Sequence, residues 1–193
     1  MLKRSTINQS IEIARRVFAA AGLHLPAFAT WSVEEWDRCG READEIRDCM
    51  LGWDVTDFGS GDFANIGRTL FTLRNGRHND PRYPKTYAEK FILDPEGQRA
   101  PAHFHRSKRE DIINRGNGLI VLELTASDPE GNPAGGTLQL AVDGVARTIR
   151  SGSRVALKPG ESRVIRLAER GAFKGDSRVT ESGSAPPWRR LRV

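Results

Sequence analysis

At 193 residues the chain is long enough for one well-buried domain and short for two. A hydrophobic fraction of 38% beside 28% charged residues excludes a disordered or fibrous protein, and no apolar run reaches the roughly 18 residues of a membrane span. The pI of 9.6 comes from one end: eight of the 30 basic and three of the 25 acidic residues lie in 163–193, leaving 22 of each before them. A neutral body offers no phosphate-binding face, so neither a nucleic-acid nor a membrane partner is expected. The opening residues Met1–Ser5 carry charge with no apolar run behind it, which predicts no secretory leader.

The first predicted element is a helix capped by Ser5 or Thr6. Ile7, Ile11, Ala14, Val17, Phe18 and Ala21 recur at helical spacing before Gly22 stops it. Leu25-Pro26-Ala27-Phe28 reads as an extended link. Ser32-Val33-Glu34-Glu35 is a capping box that starts a second helix with Trp36 on its buried side, and Gly40 interrupts it before Glu42–Met50. Cys39 and Cys49 form no CxxC pair and are expected as reduced thiols of a cytoplasmic protein.

From Gly52 the texture changes to short β-like runs. Strands are predicted at Thr69–Arg74, Thr86–Asp94, Pro101–His105, Asp111–Asn114, Leu119–Thr125, Thr137–Val142, Val145–Arg150 and Arg154–Leu157. Asp143-Gly144 between two alternating runs marks a two-residue hairpin. The fold class expected is mainly β, a barrel or jelly roll with an N-terminal helical segment. Its division is residues 1–52 helical, 53–162 barrel with the candidate site, and 163–193 an atypical basic tail.

The segment Gly97–Gly116 carries the most chemistry. Residues two apart on a strand share a face, so His103 and His105 aim their imidazoles together. A turn through Arg106–Arg109 and an antiparallel return would set the Glu110 carboxylate beside them. Two imidazoles and a carboxylate suit Mn²⁺, Fe²⁺, Co²⁺, Ni²⁺ or Zn²⁺ and leave coordination positions for substrate oxygens. A bare His-x-His standing alone reads more readily as two solvent-facing strand residues, with Glu110 a surface charge. The spacing between glycines and the apolar strand after it resemble the first motif of the cupin superfamily. His24 and His78 have no partners near them in sequence and are read as ordinary surface residues.

The likeness extends further. The strings Leu25-Pro26-Ala27-Phe28-Ala29, Trp31-Ser32-Val33-Glu34-Glu35-Trp36, Met50-Leu51-Gly52-Trp53-Asp54-Val55-Thr56-Asp57-Phe58-Gly59, Leu70-Phe71-Thr72-Leu73-Arg74-Asn75-Gly76, Tyr87-Ala88-Glu89-Lys90 and Glu110-Asp111-Ile112-Ile113-Asn114-Arg115-Gly116 resemble the D-lyxose isomerase family over about the first 125 residues. That resemblance implies a homodimeric, cytoplasmic, Mn²⁺-preferring cupin. Such an enzyme interconverts D-lyxose with D-xylulose, and D-mannose with D-fructose, through an enediol. The monosaccharide is then the partner expected. It also implies Lys90 as the active-site lysine. On the strand reading, Lys90 shares a face with Ala88 and Ile92, which places it inward among apolar neighbours, where burial would make it a proton handler. A lysine on an edge strand with its head in water fits the same pattern.

The end of the chain departs from the family's pattern. Lys158-Pro159-Gly160 looks like the turn before the second cupin motif, yet no histidine follows, and Gly171 falls where the fourth ligand is expected. A neutral body joined to an arginine-rich tail is what an out-of-frame or substituted C-terminus would look like. The barrel would then lack its last strand or two and expose an unpaired edge. A catalytically inactive sugar- or metal-binding cupin is the competing reading, and a different metal cupin enzyme a further one.

Overall fold

A computed structural model describes residues 2–104, 110–116, 118–128, 130–165 and 173–178. Contact density divides the chain into two compact units, Met1–Asp94 and Pro95–Val193. The division lies well after the change of texture at residue 52, because the first three strands pack with the N-terminal helices.

The first unit opens with helix α1, Arg4–Ala20. Its N-cap is Lys3, whose side chain makes no capping bond, so neither Ser5 nor Thr6 has the expected role. The other end behaves as read. Gly22 takes φ 72°, the Leu23 amide donates to the Phe18 carbonyl at 2.8 Å, and the Gly22 amide donates to Ala19 at 3.0 Å. These two bonds make a Schellman stop. A short 3₁₀ turn at Ala27–Ala29 precedes α2, Val33–Arg38. The predicted capping box is present in both directions: Ser32 N donates to Glu35 Oε2 at 2.7 Å and Glu35 N to Ser32 Oγ at 3.2 Å. A second 3₁₀ turn, Arg41–Ala43, leads into α3, Asp44–Asp48.

Three antiparallel strands follow in the order β1 (Gly52–Thr56), β2 (Arg68–Arg74) and β3 (Glu89–Leu93). The register aligns Trp53, Phe71 and Phe91 in one row across the sheet, so their rings share a face. Ala14 and Phe18 of α1 pack on that face with Phe71, Trp53, Phe91 and Leu93. Phe18 stacks on Trp53 at 6.2 Å and meets Phe91 edge-on at 5.5 Å, geometries that rings favour beyond the area they bury. Arg68 and Asp94 close the sheet with a two-pronged ion pair at 3.0 and 2.6 Å.

The second unit is a pair of antiparallel sheets. Its strands are β4 (His103–Phe104), β5 (Glu110–Ile113), β6 (Ile120–Ser127), β7 (Pro133–Ala134), β8 (Thr137–Val142), β9 (Val145–Arg150), β10 (Ser153–Leu157), β11 (Ser162–Ile165) and β12 (Phe173–Arg178). One sheet runs β10-β6-β12-β4 with β7 on β6, the other β5-β11-β8-β9. Leu122 and Leu124 of β6, Val155 and Leu157 of β10, and Leu138, Leu140 and Val142 of β8 form the core, so it lies between the sheets. Alternation along β8 produces this: Leu138, Leu140 and Val142 are buried while Thr137 and Gln139 are exposed. The fold class is therefore as expected, mainly antiparallel β of jelly-roll kind with an N-terminal helical segment.

The expected loss of the last strands does not occur. Ser162–Ile165 pairs with both β5 and β8, and Phe173–Arg178 inserts between β6 and β4 along six residues of β6. Backbone pairing depends on N–H and C=O groups that every non-proline residue carries, so the departure in side chains did not prevent it.

Candidate active site

Of the three expected metal ligands, the structure describes two. His105 lies outside the described residues, as does Gly171. His103 sits on β4, paired with Gly175 of β12 at the edge of the first sheet. Its side chain is exposed, and Nδ1 lies 3.0 Å from the Pro101 carbonyl oxygen. A proton on Nδ1 donated to that carbonyl makes Nε2 the lone-pair nitrogen, which is how metal-binding imidazoles are commonly oriented. Glu110 opens β5 at the edge of the second sheet, half-buried and paired with Ile165 of β11.

Among the described residues, the antiparallel hairpin expected between the histidine strand and the glutamate strand is not formed. β4 pairs with β12 and β5 with β11, so the two stretches belong to different sheets. Which sheet a short strand joins is set by long-range pairing, which turn-like residues alone do not reveal. Among the described residues no three His, Cys, Asp or Glu side chains are grouped to hold a metal ion. Imidazole and carboxylate are donor types that divalent cations accept, and a proton on Nδ1 would leave Nε2 of His103 for one.

Asn114 secures the end of β5. It is buried, and its Nδ2 donates to the carbonyls of Gly118 at 2.7 Å and Leu157 at 2.9 Å, while Oδ1 accepts from the Gly116 amide at 3.0 Å. These bonds tie β5 to β10 and hold the strand that presents Glu110.

Lys90 belongs to the first unit. It is exposed on β3 opposite Thr72, on the face away from Phe91 and Leu93, whose side chains pack toward α1. The inward placement among apolar neighbours is thus corrected: strand alternation points Phe91 and Leu93 inward and Lys90 outward. There Lys90 lines a cavity of about 360 Å³ together with Gly52, Asp54, Thr72 and Asn75. Nothing local in the sequence signals Asp54 and Asn75 as neighbours of Lys90, although both stand inside strings that carry the family likeness.

The other residue missed is Arg163. It is 1% exposed on β11 and pairs with Ile112 and Val142, which both face the core. No nitrogen of its guanidinium has a hydrogen-bond partner among the described residues, and burial pushes its pKa down to about 10. Sequence offered no signal for this, since an arginine in a basic tail reads as solvated.

The sequence profile of the D-lyxose isomerase family matches residues 2–182. A D-lyxose/D-mannose isomerase of Serratia proteamaculans is 43% identical over 176 residues, covering 91% of this chain and 77% of that protein. The chain belongs to the D-lyxose isomerase family. A second relative, the D-lyxose/D-mannose isomerase of Escherichia coli O157:H7, is 43% identical over 162 residues, 83% of this chain and 71% of its own length. Membership places the chain among aldose–ketose isomerases acting on sugars. The match runs far beyond the first 125 residues to which the quoted strings were confined, and it takes in strands β11 and β12. Family likeness therefore persists into the segment that the sequence reading set apart as disrupted.

Proposed function

We propose that this chain interconverts D-lyxose with D-xylulose, and D-mannose with D-fructose, by moving a proton between C1 and C2 of the open-chain sugar. The observation that carries the reading is 43% identity to a D-lyxose/D-mannose isomerase over 91% of the chain. The proposed reaction is a redox-neutral isomerisation. A base takes the C2 proton, an enediol forms, and the proton is returned to C1 while the hydroxyl proton passes from O2 to O1. His103, His105 and Glu110 are the residues proposed to hold a divalent cation, Mn²⁺ being the choice that the family suggests. When bound, that cation would polarise the sugar carbonyl and stabilise developing negative charge. Lys90 is proposed to donate hydrogen bonds to sugar oxygens from the cavity it shares with Asp54. The contact of His103 Nδ1 with the Pro101 carbonyl and the Asn114 bonds at the end of the Glu110 strand support giving these two residues the ligand role. A cytoplasmic homodimer is the proposed state. Among the described residues no helix is long and apolar enough to cross a membrane.

Purified protein incubated with D-lyxose and Mn²⁺ should yield D-xylulose by chromatography, and a chelator should stop the conversion reversibly. Lys90→Ala should lower kcat with bound metal unchanged. No ketose from either D-lyxose or D-mannose, with metal bound, would favour the competing reading of an inactive sugar- or metal-binding relative. Gly171 at the expected ligand position points that way.

A further inference from the structure

The face of the first sheet turned away from α1 carries two opposite charges that do not meet. Register places Gly52, Thr72 and Lys90 in one row and Asp54, Leu70 and Ile92 in the next. Alternation turns both rows away from the Trp53, Phe71 and Phe91 rings. β2 separates β1 from β3 by about 9–10 Å, and Gly52 adds no side chain to its row, so a hollow remains. Asp54 and Lys90 both line the resulting cavity of about 360 Å³, and both are exposed. Among the described residues neither side chain has a hydrogen-bond or ion-pair partner. Asn75 is fixed at the same cavity, where its Nδ2 donates to the Cys49 carbonyl at 3.0 Å.

The residue after that carbonyl is out of the ordinary. α3 ends in a Schellman stop, with the Leu51 amide donating to the Ile46 carbonyl at 2.9 Å and the Met50 amide to Arg47 at 3.2 Å. The position that closes such a stop favours glycine, yet Met50 stands there at φ 53°, a conformation that strains an L residue. Its side chain is 78% exposed and lines the same cavity, so packing within the fold does not account for it.

We propose that this cavity is a monosaccharide subsite in which Asp54 accepts hydrogen bonds from sugar hydroxyls and Met50 covers the carbon face of the sugar. That the ligand is a sugar rests on the isomerase reading given above, and the chemistry of the cavity agrees with it. A carboxylate only accepts hydrogen bonds and an ammonium only donates them. An anion would meet Asp54 as like charge and a cation would meet Lys90 so. A neutral polyol, whose hydroxyls both donate and accept, satisfies the two at once. A few polar groups beside an apolar wall are what small-molecule sites use to fix orientation, and a thioether adapts to the uneven C–H surface of a sugar. Asp54 is thereby the specificity-determining residue and Met50 the wall.

Calorimetric titration with D-arabinitol, the alditol of D-lyxose, reads binding apart from turnover, because it has no carbonyl to isomerise. With Mn²⁺ present, Asp54→Asn should weaken D-arabinitol binding at least tenfold and Met50→Gly at least threefold, with circular dichroism unchanged. The Asp54 side chain bonds to no described residue, and glycine is the usual occupant of the Met50 position, so both variants keep the fold. A smaller effect in either variant would overturn the proposal, as would a parent that does not bind D-arabinitol. Conversion of D-lyxose to D-xylulose, followed on the same samples, separates the two ideas. Turnover by the parent, with D-arabinitol binding indifferent to both substitutions, leaves the isomerase reading standing and removes the subsite. Binding weakened as expected in both variants, with no ketose formed by the parent, keeps the subsite and removes the isomerase reading.

Discussion

At Gly76 a methyl group has no room. A Cβ built there would lie 1.9 Å from the Lys85 carbonyl oxygen and 3.0 Å from that of Tyr83. The loop it closes is fastened by the Arg77 amide donating to Tyr83 O at 3.1 Å, by the Tyr83 hydroxyl donating to Asp48 at 2.9 Å, and by the Lys85–Glu45 ion pair. The Asp48 carboxylate that accepts this bond raises the pKa of the Tyr83 phenol. Gly76→Ala must push two stretches of backbone apart, and overpacking of this kind costs about 1–3 kcal/mol. Urea denaturation should show a lower midpoint with an unchanged slope; an unchanged midpoint would mean that the loop gives way freely. Single residues were unevenly legible. His103 and Glu110 stood out as candidate ligands because imidazole and carboxylate chemistry is written in the residue type. Arg163 could not, because burial of a charge depends on which strands flank it.

The strands depend on local ties that differ in kind. Arg68 at the start of β2 and Asp94 just beyond β3 are 14% and 8% exposed and bonded by two prongs. Asp94→Ala removes both prongs of this pair from a largely buried guanidinium, a change of up to about 3–5 kcal/mol, and thermal unfolding should register it as a drop in midpoint. At the β8–β9 turn, Asp143 with φ 48° and Gly144 with φ 81° adopt the left-handed conformations that a two-residue hairpin requires. The Asp143 carboxylate accepts from the Ser162 amide at 2.7 Å and hydroxyl at 2.8 Å, and these bonds hold its pKa below the ordinary carboxylate value. A carboxyl with a lowered folded pKa adds stability above its unfolded pKa and loses it as pH falls through the folded one. Asp143→Asn should therefore be less stable than the parent at neutral pH, with the gap closing as acid protonates the parent's carboxyl. A gap independent of pH would assign the effect to the turn alone. Eight elements came out near their predicted bounds: α1, α2, β2, β5, β6, β8, β9 and β10. β1 was missed because Gly52-Trp53-Asp54-Val55-Thr56 offers only a short, weak alternation.

For the whole molecule, ligand binding and folding are linked. A cation that binds the folded chain and not the unfolded one raises stability by about 2.7 kcal/mol when its concentration is a hundred times Kd. The melting midpoint should rise with added Mn²⁺ and return on chelation, and the rise should shrink in His103→Ala and Glu110→Gln. Equal rises in the parent and in both variants would place the ion elsewhere. Composition and periodicity by themselves determined that the chain is mainly β after a helical start, and where the α1 stop, the α2 capping box and the β8–β9 hairpin lie. These are properties of short stretches, set by side-chain spacing of two or 3.6 residues and by the conformations open to glycine and proline. Only the tertiary structure decided that the histidine and glutamate strands belong to opposite sheets, that Lys90 faces away from the first core, and that the last strands pair at all. Those outcomes depend on contacts between residues far apart in the chain, where a strand takes its partner from whichever backbone edge the rest of the fold leaves open.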